Sequence, residues 1–524
     1  MPEGRKPLAT KWVFVTKKDA AGNPTKRKAR LVAKGFLQKP GVDFSEVYAP
    51  VVRPSSLRLL LSVVVRRKLL LRQFDVESAY LHGKLEEELY LQVPEGVTPP
   101  TVMTRPGLKL IKAIYGLKQA GRVWNKTLDV KLRSIGFEPT KLELCLYRNK
   151  DRTMFVSVYV DDLIVAATTI GGTDRVVGLI KEDFPLKELG EVRDLLGVRL
   201  SYDRERGNLK LSQPGLAKQI YNEARVGRFV STPLEGGNTA SVDDGEEIQN
   251  ADQYRTLVGK AMYLATMTRP DLSFAVRYLA QSVASPTELD WKNLMHLCRY
   301  IGRTENAELN YNVSTVMSGV ITYSDASYAS EKGRTSVTGY ATFHGGNLVS
   351  WGSKKQGVVA QSTCEAELIA GNEGGRDARW AHNLLQELGE KTQAPLLRMD
   401  NSGALALVIT EGVSPRSKHL EIKYLWLQDQ IQQGSLNVEY CPTDHMLADC
   451  LTKAMPGKRL RELTAMSGLQ LNDLKSDARL RGRMLDQLHP SIRFREGDTW
   501  VQTQPGLTGE RIWCLSAIAL VRIR

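Results

Sequence analysis

The chain has 524 residues, of which 42% are hydrophobic and 25% charged, and carries a formal net charge of +14. That length exceeds a single hydrophobic core and predicts two or three domains. No apolar run approaches the roughly 20 residues of a membrane span, the opening MPEGRKPLATKWVF lacks the apolar centre of a signal peptide, and six scattered cysteines with no C-x-x-C pair argue against a zinc site or a disulfide framework. A reducing compartment fits.

The first segment holds most of the excess charge. Met1 to Arg72 carry 17 Lys+Arg against 4 Asp+Glu, a net +13. A local positive excess is the usual footprint of a polyanion partner. Residues 11–36 read as a β-hairpin around DAAGNP, with the cations interleaved among strand residues. Residues 55–71 are helical in pattern, opened by Pro54-Ser55-Ser56. A strand, LRQFD, ends at Asp75. IYGLKQAGRVWNKTLDVKLRSIGF is a helix with a glycine-containing entry.

The stretch FVSVYVDDLIVAA (155–167) follows. Val156, Val158 and Val160 alternate as in a half-buried strand, and Leu163 to Ala167 read as a buried one. A tight hairpin needs positive φ and usually takes Asn-Gly or Asp-Gly; here the tip is Asp161-Asp162. Adjacent carboxylates in a low dielectric repel and raise each other's pKa. A divalent cation resolves the conflict, since Mg²⁺ takes a few carboxylates plus substrate phosphates. Asp75 is the expected third carboxylate. The alternative is a solvated turn and a strand-end cap.

FPLKELGEVRDLLGVRLSYDRERGNLKLSQ gives another hairpin, then a short helix to about Arg228. Ser231 to Asp252 is polar, acidic and Gly-rich, as a linker or surface loop is. Residues 253–304 are mostly helical, and a strand-rich block begins near Val316. Its first strand ends at Asp325, two more flank HGGN, and a helix opens at Ser362. The strand LLRMD ends at Asp400. A helix, the strand LNVEYCP and a helix containing Asp449 complete it. Ser362-Thr363-Cys364-Glu365 has capping-box spacing, so Glu365 is expected to reach back to the Ser362 backbone. Glu367 sits in AELIA, which resembles the E-L-x-A surroundings of the ribonuclease H glutamate, and that resemblance makes it the expected chemical glutamate. His445 is read as a helix-surface residue. The tail 457–524 carries no motif.

QFDVESAYLHG, IYGLKQAGRVWNK, YVDDLIVAA and LLGVRL, in this order, resemble the reverse transcriptase of copia-type LTR retrotransposons, as does the opening KWVFVTKKDAAGNPTKRKARLVAKGF. The β-β-β-α-β-α-β-α block looks like ribonuclease H, which follows reverse transcriptase in those elements. The resemblance covers about residues 8–455. It implies a mixed α+β and α/β chain: a right-hand polymerase (fingers and palm, 8–230), a linker and helical thumb or connection (231–315), a ribonuclease H-like domain (316–456) and a tail (457–524). It implies RNA-directed DNA synthesis and hybrid RNA cleavage, with two Mg²⁺ or Mn²⁺ ions at each site. Asp75, Asp161 and Asp162 would hold the polymerase metals. Asp325, Glu367, Asp400 and Asp449 would hold the nuclease metals. Tyr80 would exclude a ribose 2′-hydroxyl, Gln119 line the nucleotide pocket, Lys17, Lys28 and Arg30 meet the triphosphate, and Leu196-Gly197 grip the primer end. The family usually has Pro where this chain has Gly121, which loosens that turn. Implied partners are RNA template, DNA primer, RNA–DNA hybrid and dNTPs, with no membrane. The implied place is the cytoplasm, in virus-like particles with nuclear access, in a DNA integration pathway.

Two rivals stand beside this. The first is a decayed or domesticated element that only binds nucleic acid, since no zinc knuckle, aspartic-protease or integrase region is recognised. Acids at every metal position argue against decay. The second is a cellular, intron-maturase type of enzyme, which the attached nuclease block argues against.

Overall fold

The computed structural model describes residues 6–18, 24–98, 107–236, 245–313, 319–409 and 422–471, with two short strands beyond. Two compact units arise, Met1–Asn472 and Asp473–Arg524. No helix among the described residues is long and apolar enough to cross a membrane.

The expected basic hairpin forms from β1 (Thr10–Lys18) and β2 (Pro24–Ala33); Asp19 to Asn23 of its loop lie outside the described residues. Helix α1 (Pro54–Arg67) stops earlier than residue 71, because Lys68 takes a left-handed φ of 51° and β3 (Leu70–Val76) starts two residues later. A two-strand sheet, β4 (Tyr90–Leu91) with β5 (Leu108–Lys109), ties into the base of the hairpin through Leu8. Gly116, at φ +93°, lies against the chain there: a Cβ would sit 2.1 Å from the Ala33 carbonyl oxygen. This close approach needs glycine.

The central sheet is antiparallel. Helix α2 (Ala120–Ser134) leads to β6 (Phe137–Pro139), β7 (Leu146–Asn149), β8 (Met154–Tyr159) and β9 (Asp162–Ala167). Helix α3 (Ile170–Lys181) and β10 (Leu186–Glu191) follow, giving the order β10-β3-β9-β8-β7-β6. Trp124, Leu128 and Leu132 of α2 and Val176, Val177 and Ile180 of α3 bury Phe74, Val76, Val156, Val158, Leu163 and Val165 on one face. The opposite face carries Asp75 and Phe155, the latter under the Arg67 guanidinium of α1. Strand β8 is thus buried on both faces rather than half-buried, and Val160 lies outside it.

Next come β11 (Asp194–Leu195), β12 (Val198–Asp203), β13 (Asn208–Ser212) and α4 (Pro214–Ala224). The helical stretch is α5 (Ala251–Met267), α6 (Ser273–Ala280) and α7 (Glu288–Arg303), packed with α4 around one core. That core also takes Val337 and Leu460, with Cys450 and Met455 against it. Strand β14 (Glu308–Asn312) joins the sheet of β11–β13.

The last block holds β15 (Val320–Ser327), β16 (Val337–His344), β17 (Asn347–Lys355), α8 (Thr363–Glu387) and β18 (Leu396–Met399). It continues with α9 (Ser402–Ile409), α10 (Ile422–Gln432) and β19 (Asn437–Tyr440). The sheet order is β17-β16-β15-β18-β19, parallel at β15/β18 and β18/β19. Helix α9 was not expected from the pattern. Helix α11 (Gly457–Met466) and β20 (Leu469–Gln470) return to pair with β14, so residues 457–472 belong to the main unit. In the second unit β21 (Phe494–Glu496) pairs with β22 (Thr499–Val501).

Helix α1 docks on β17 through a buried cation. The Arg58 guanidinium donates to the carbonyls of Val349 (2.9 Å), Thr266 (2.6 Å) and Met267 (3.0 Å) and stacks 3.8 Å from the Trp351 ring centroid.

Candidate active sites

The hairpin tip resolves its turn without glycine. Val160 takes the positive φ, at 57°, a conformation costly for a β-branched residue. Its carbonyl accepts the Trp124 indole N–H at 2.6 Å, and the Val76 N–H donates to the Asp161 carbonyl at 2.8 Å. These bonds pin the tip against α2 and β3. In register, Asp75 stands directly opposite Asp162. Like charges opposite each other destabilise a sheet. Burial, and then the neighbouring Asp161 charge, push the Asp75 carboxyl above its usual range. Burial also raises Asp162; a hydrogen bond from Gln73 at 3.3 Å opposes this, while Asp161 and Asp75 add to it. Two carboxyls that disfavour their own charge, with the Asp161 charge beside them, suit a divalent cation.

Around this triad, Tyr80 meets Tyr115 edge-on at 5.0 Å between centroids. Burial, then the Asp161 charge, raise the Tyr80 phenol. Arg30 lies 5.4 Å over the Tyr115 ring, and the Lys28 charge acts on Asp75. Lys26, Lys28 and Arg30 alternate along β2, so they share one face, and that face looks toward the acids. Lys17 pairs with Lys26 in the ladder; its side chain lies outside the described residues.

Gln119 is buried, and its amide is committed. It accepts from Gln38 at 3.0 Å and donates to the Asp43 carbonyl at 2.9 Å, fastening the 38–43 loop. Gly121 sits in the first turn of α2, where a Cβ would meet only Ala49 at 3.5 Å. Leu196 and Gly197 both take positive φ, and the Tyr263 hydroxyl donates to the Leu196 carbonyl at 2.6 Å.

A second carboxylate cluster forms where β15, β18 and α8 meet. Asp325, Glu367 and Asp400 each bring one oxygen within 4.8 Å of the others, the one such group among the described residues. Asp325 is 3% and Glu367 6% exposed. Burial first, then Asp325 and Asp400, push Glu367 up to about 9. Burial raises Asp325 to about 6 against the pull of Lys453. Burial and Asp449 raise Asp400. The Ala326 N–H donates to Glu367 Oε1 at 3.2 Å, Thr452 Oγ1 donates to Asp325, and Thr443 Oγ1 donates to Asp400 at 3.3 Å. Glu367 Oε2 is buried without a hydrogen-bond partner. An orphaned carboxylate oxygen beside two more carboxylates fits a hard cation.

Asp449 lies in a 3-10 turn (Leu447–Leu451) rather than in an α-helix. Its carboxylate pairs with Lys453 at 2.5 Å and faces Arg459 at 3.9 Å. His445 is half-buried in the preceding 3-10 turn. Ser362 caps α8 by accepting the Glu365 N–H at 3.1 Å. Glu365 reaches the N–H of Gln361 at 2.7 Å, one residue before the expected target. The capping role therefore holds with a shifted partner, and Glu365 stays outside the acid cluster. Lys453 escaped the sequence reading; its spacing of four from Asp449 was the available signal.

Residues 1–233 match the family model described as reverse transcriptase (RNA-dependent DNA polymerase). The chain is 34% identical over 487 residues to the retrovirus-related Pol polyprotein from transposon TNT 1-94 of Nicotiana tabacum, covering 90% of this chain and 36% of the relative. It is 33% identical to the corresponding polyprotein from transposon RE1 of Arabidopsis thaliana, covering 88% and 32%. It is 26% identical to the transposon Ty1-DR5 Gag-Pol polyprotein of Saccharomyces cerevisiae, covering 86% and 26%. The chain thus spans roughly a third or less of the length of these relatives. With the acid pair at the β8–β9 tip inside the matched residues, the chain belongs with the Pol polyproteins of copia-type LTR retrotransposons, and its residues 1–233 belong to the reverse transcriptase family.

Proposed function

We propose that this chain is an RNA-directed DNA polymerase that also cleaves the RNA strand of RNA–DNA hybrids, using two divalent cations, Mg²⁺ or Mn²⁺, at each site. The observation that carries the polymerase reading is the pairing of Asp75 with Asp162 beside Asp161, inside residues that match the reverse transcriptase family. Bound divalent cations supply acidity to an attacking hydroxyl or water and charge for the phosphate oxygens. Asp75, Asp161 and Asp162 hold them in the first site. Tyr80 packs under the incoming sugar and leaves no room for a 2′-hydroxyl. Lys17, Lys28 and Arg30 meet the triphosphate, a guanidinium matching phosphate in bidentate fashion. Gln119 shapes the pocket by fixing the 38–43 loop, and Leu196-Gly197 receives the primer end.

For the nuclease, support comes from the mixed five-strand sheet with carboxylates at the adjacent ends of β15 and β18 and on α8. Asp325, Glu367, Asp400 and Asp449 hold the cations, and Thr452 and the Ala326 N–H orient two of them. The substrates are an RNA template, a DNA primer, dNTPs and the resulting hybrid, read by A-form shape and backbone. Residues 8–230 serve synthesis, 231–315 connect, 316–456 cleave, and the chain works in the cytoplasm, in virus-like particles.

The test uses the purified full chain in two assays, primer extension on poly(rA)·oligo(dT) and cleavage of a labelled RNA·DNA hybrid. Asp161→Asn should abolish extension and spare cleavage. Glu367→Gln should abolish cleavage and spare extension, while Glu365→Gln should do neither. Tyr80→Ala should admit ribonucleotides. Wild-type extension by Asp161→Asn would overturn the polymerase assignment. Normal cleavage by Glu367→Gln would overturn the nuclease assignment. Binding of template–primer with neither activity in the wild type would favour the non-enzymatic rival.

A further inference from the structure

We propose that Lys453 is a built-in cation of the second carboxylate cluster, holding Asp449 in the place of a second metal ion until a substrate phosphate arrives. This rests on the nuclease reading above. The four carboxylates do not converge equally. Asp325, Glu367 and Asp400 form the tight group, and oxygens around one octahedral Mg²⁺, at about 2.1 Å from it, lie roughly 3–4 Å apart. Asp449 is outside that group, and its Oδ1 carries the Lys453 ammonium at 2.5 Å.

The backbone delivers that ammonium deliberately. The N–H groups of Thr452 and Lys453 both donate to the Asp449 carbonyl, at 3.2 and 3.3 Å. Thr452 Oγ1 donates to Asp325. One five-residue stretch, 449–453, therefore fixes Asp325, presents Asp449 and returns Lys453 to it. Burial alone would lower the Lys453 ammonium, but Asp325, Asp449 and Asp400 outweigh it and the net shift is upward. A fully exposed ion pair at this spacing would be mere surface chemistry. Here the Asp449 side chain is 4% exposed and the Lys453 side chain, reaching it from the rim, 44%.

Charge counting gives the device its use. Four carboxylates with one divalent ion and one ammonium sum to −1, and the Arg459 guanidinium, 3.9 Å from Asp449, brings the pocket to neutrality. A second divalent ion, added with Lys453 still in place, makes the pocket net positive before any phosphate is present. The same ion becomes favourable once a phosphodiester brings its negative charge. Lys453 then gives way, and cation entry is coupled to substrate.

The experiment counts Mn²⁺ bound to the full chain without nucleic acid, by electron paramagnetic resonance of the free ion. The background carries Asp161→Asn and Asp162→Asn to silence the first cluster. One ion per chain is expected in that parent. Lys453→Met and Lys453→Gln should bind two, with the second within about tenfold of the first, and adding Asp449→Asn should remove the gain. Lys453→Arg should stay at one. Arg459→Met, which also removes a charge near Asp449, should tighten binding without adding an ion. Equal stoichiometry in Lys453→Met, Lys453→Gln and the parent overturns the proposal, as does a gain that survives Asp449→Asn. If Asp400→Asn leaves the parent isotherm unchanged, the nuclease metal reading itself falls, which is a different result.

Discussion

Replacing Glu367 by glutamine should stabilise the metal-free protein, and the gain should grow with pH. The folded state pushes this carboxyl from 4.5 up to about 9 through burial and the charges of Asp325 and Asp400. Between those values the folded chain keeps a proton that the unfolded chain has released. Stability from this group is therefore full below pH 4.5, falls as pH rises, and levels off near pH 9. Each unit is worth about 1.4 kcal/mol, so at pH 7 an isolated group would forfeit about 3 kcal/mol. Proton sharing with Asp325 and Asp400 reduces this, and a gain of about 1–3 kcal/mol is expected. Glutamine has nearly the same shape and no such pH dependence. Urea unfolding of both full-length proteins in EDTA, at pH 5 and pH 7.5, measures it. The two should nearly coincide at pH 5, and the variant should be more stable at pH 7.5. Added Mg²⁺ should reverse the order, because binding stabilises the wild type by mass action. Glu365→Gln should stay within about 0.5 kcal/mol at every pH, since an amide oxygen still accepts the Gln361 N–H. A difference between Glu367→Gln and wild type that ignores pH, or a variant less stable at pH 7.5 in EDTA, would refute the reasoning.

Arg58→Met should cost about 3–5 kcal/mol, because two buried carbonyls and one part-buried carbonyl lose their donor; the melting temperature should drop, and an unchanged value would mean that α1 docks on β17 by other means. Gly121→Ala should stabilise by up to about 1 kcal/mol, since it fits beside Ala49 in the first turn of α2, with primer extension unchanged. Affinity for template–primer should fall steeply with salt through counterion release, and neutralising Lys26, Arg27 and Lys28 together should flatten that slope; a salt-insensitive dissociation constant would remove the electrostatic footprint from β2.

The sequence alone was enough to locate the strands that carry chemistry. Alternation and turn residues mark LRQFD, the two strands around Asp161-Asp162 and the strands carrying Asp325 and Asp400, because a period of two and a charge near a greasy strand end are local facts; pairing with β16 carries β15 two residues past Asp325, to Ser327. Capping spacing set Glu365 apart, and the likeness of AELIA to the ribonuclease H motif pointed to Glu367. What the residues could not show was what lies across from them. Burial on both faces of β8 depends on neighbours far along the chain. Val160 reads as a strand residue until the Trp124 indole and β3 hold it at positive φ. Gln119 has a polar side chain whose partners, Gln38 and Asp43, are set by a loop some 80 residues earlier. Residues 457–472 carry no motif, yet β20 finds β14 because that strand's edge is unpaired without it. The converged oxygens of Asp325, Glu367 and Asp400, and the ammonium opposite Asp449, exist only once parallel strands and a helix start are brought together. Hydrogen-bond partners and local dielectric are properties of the packed chain, and tertiary structure alone assigns them.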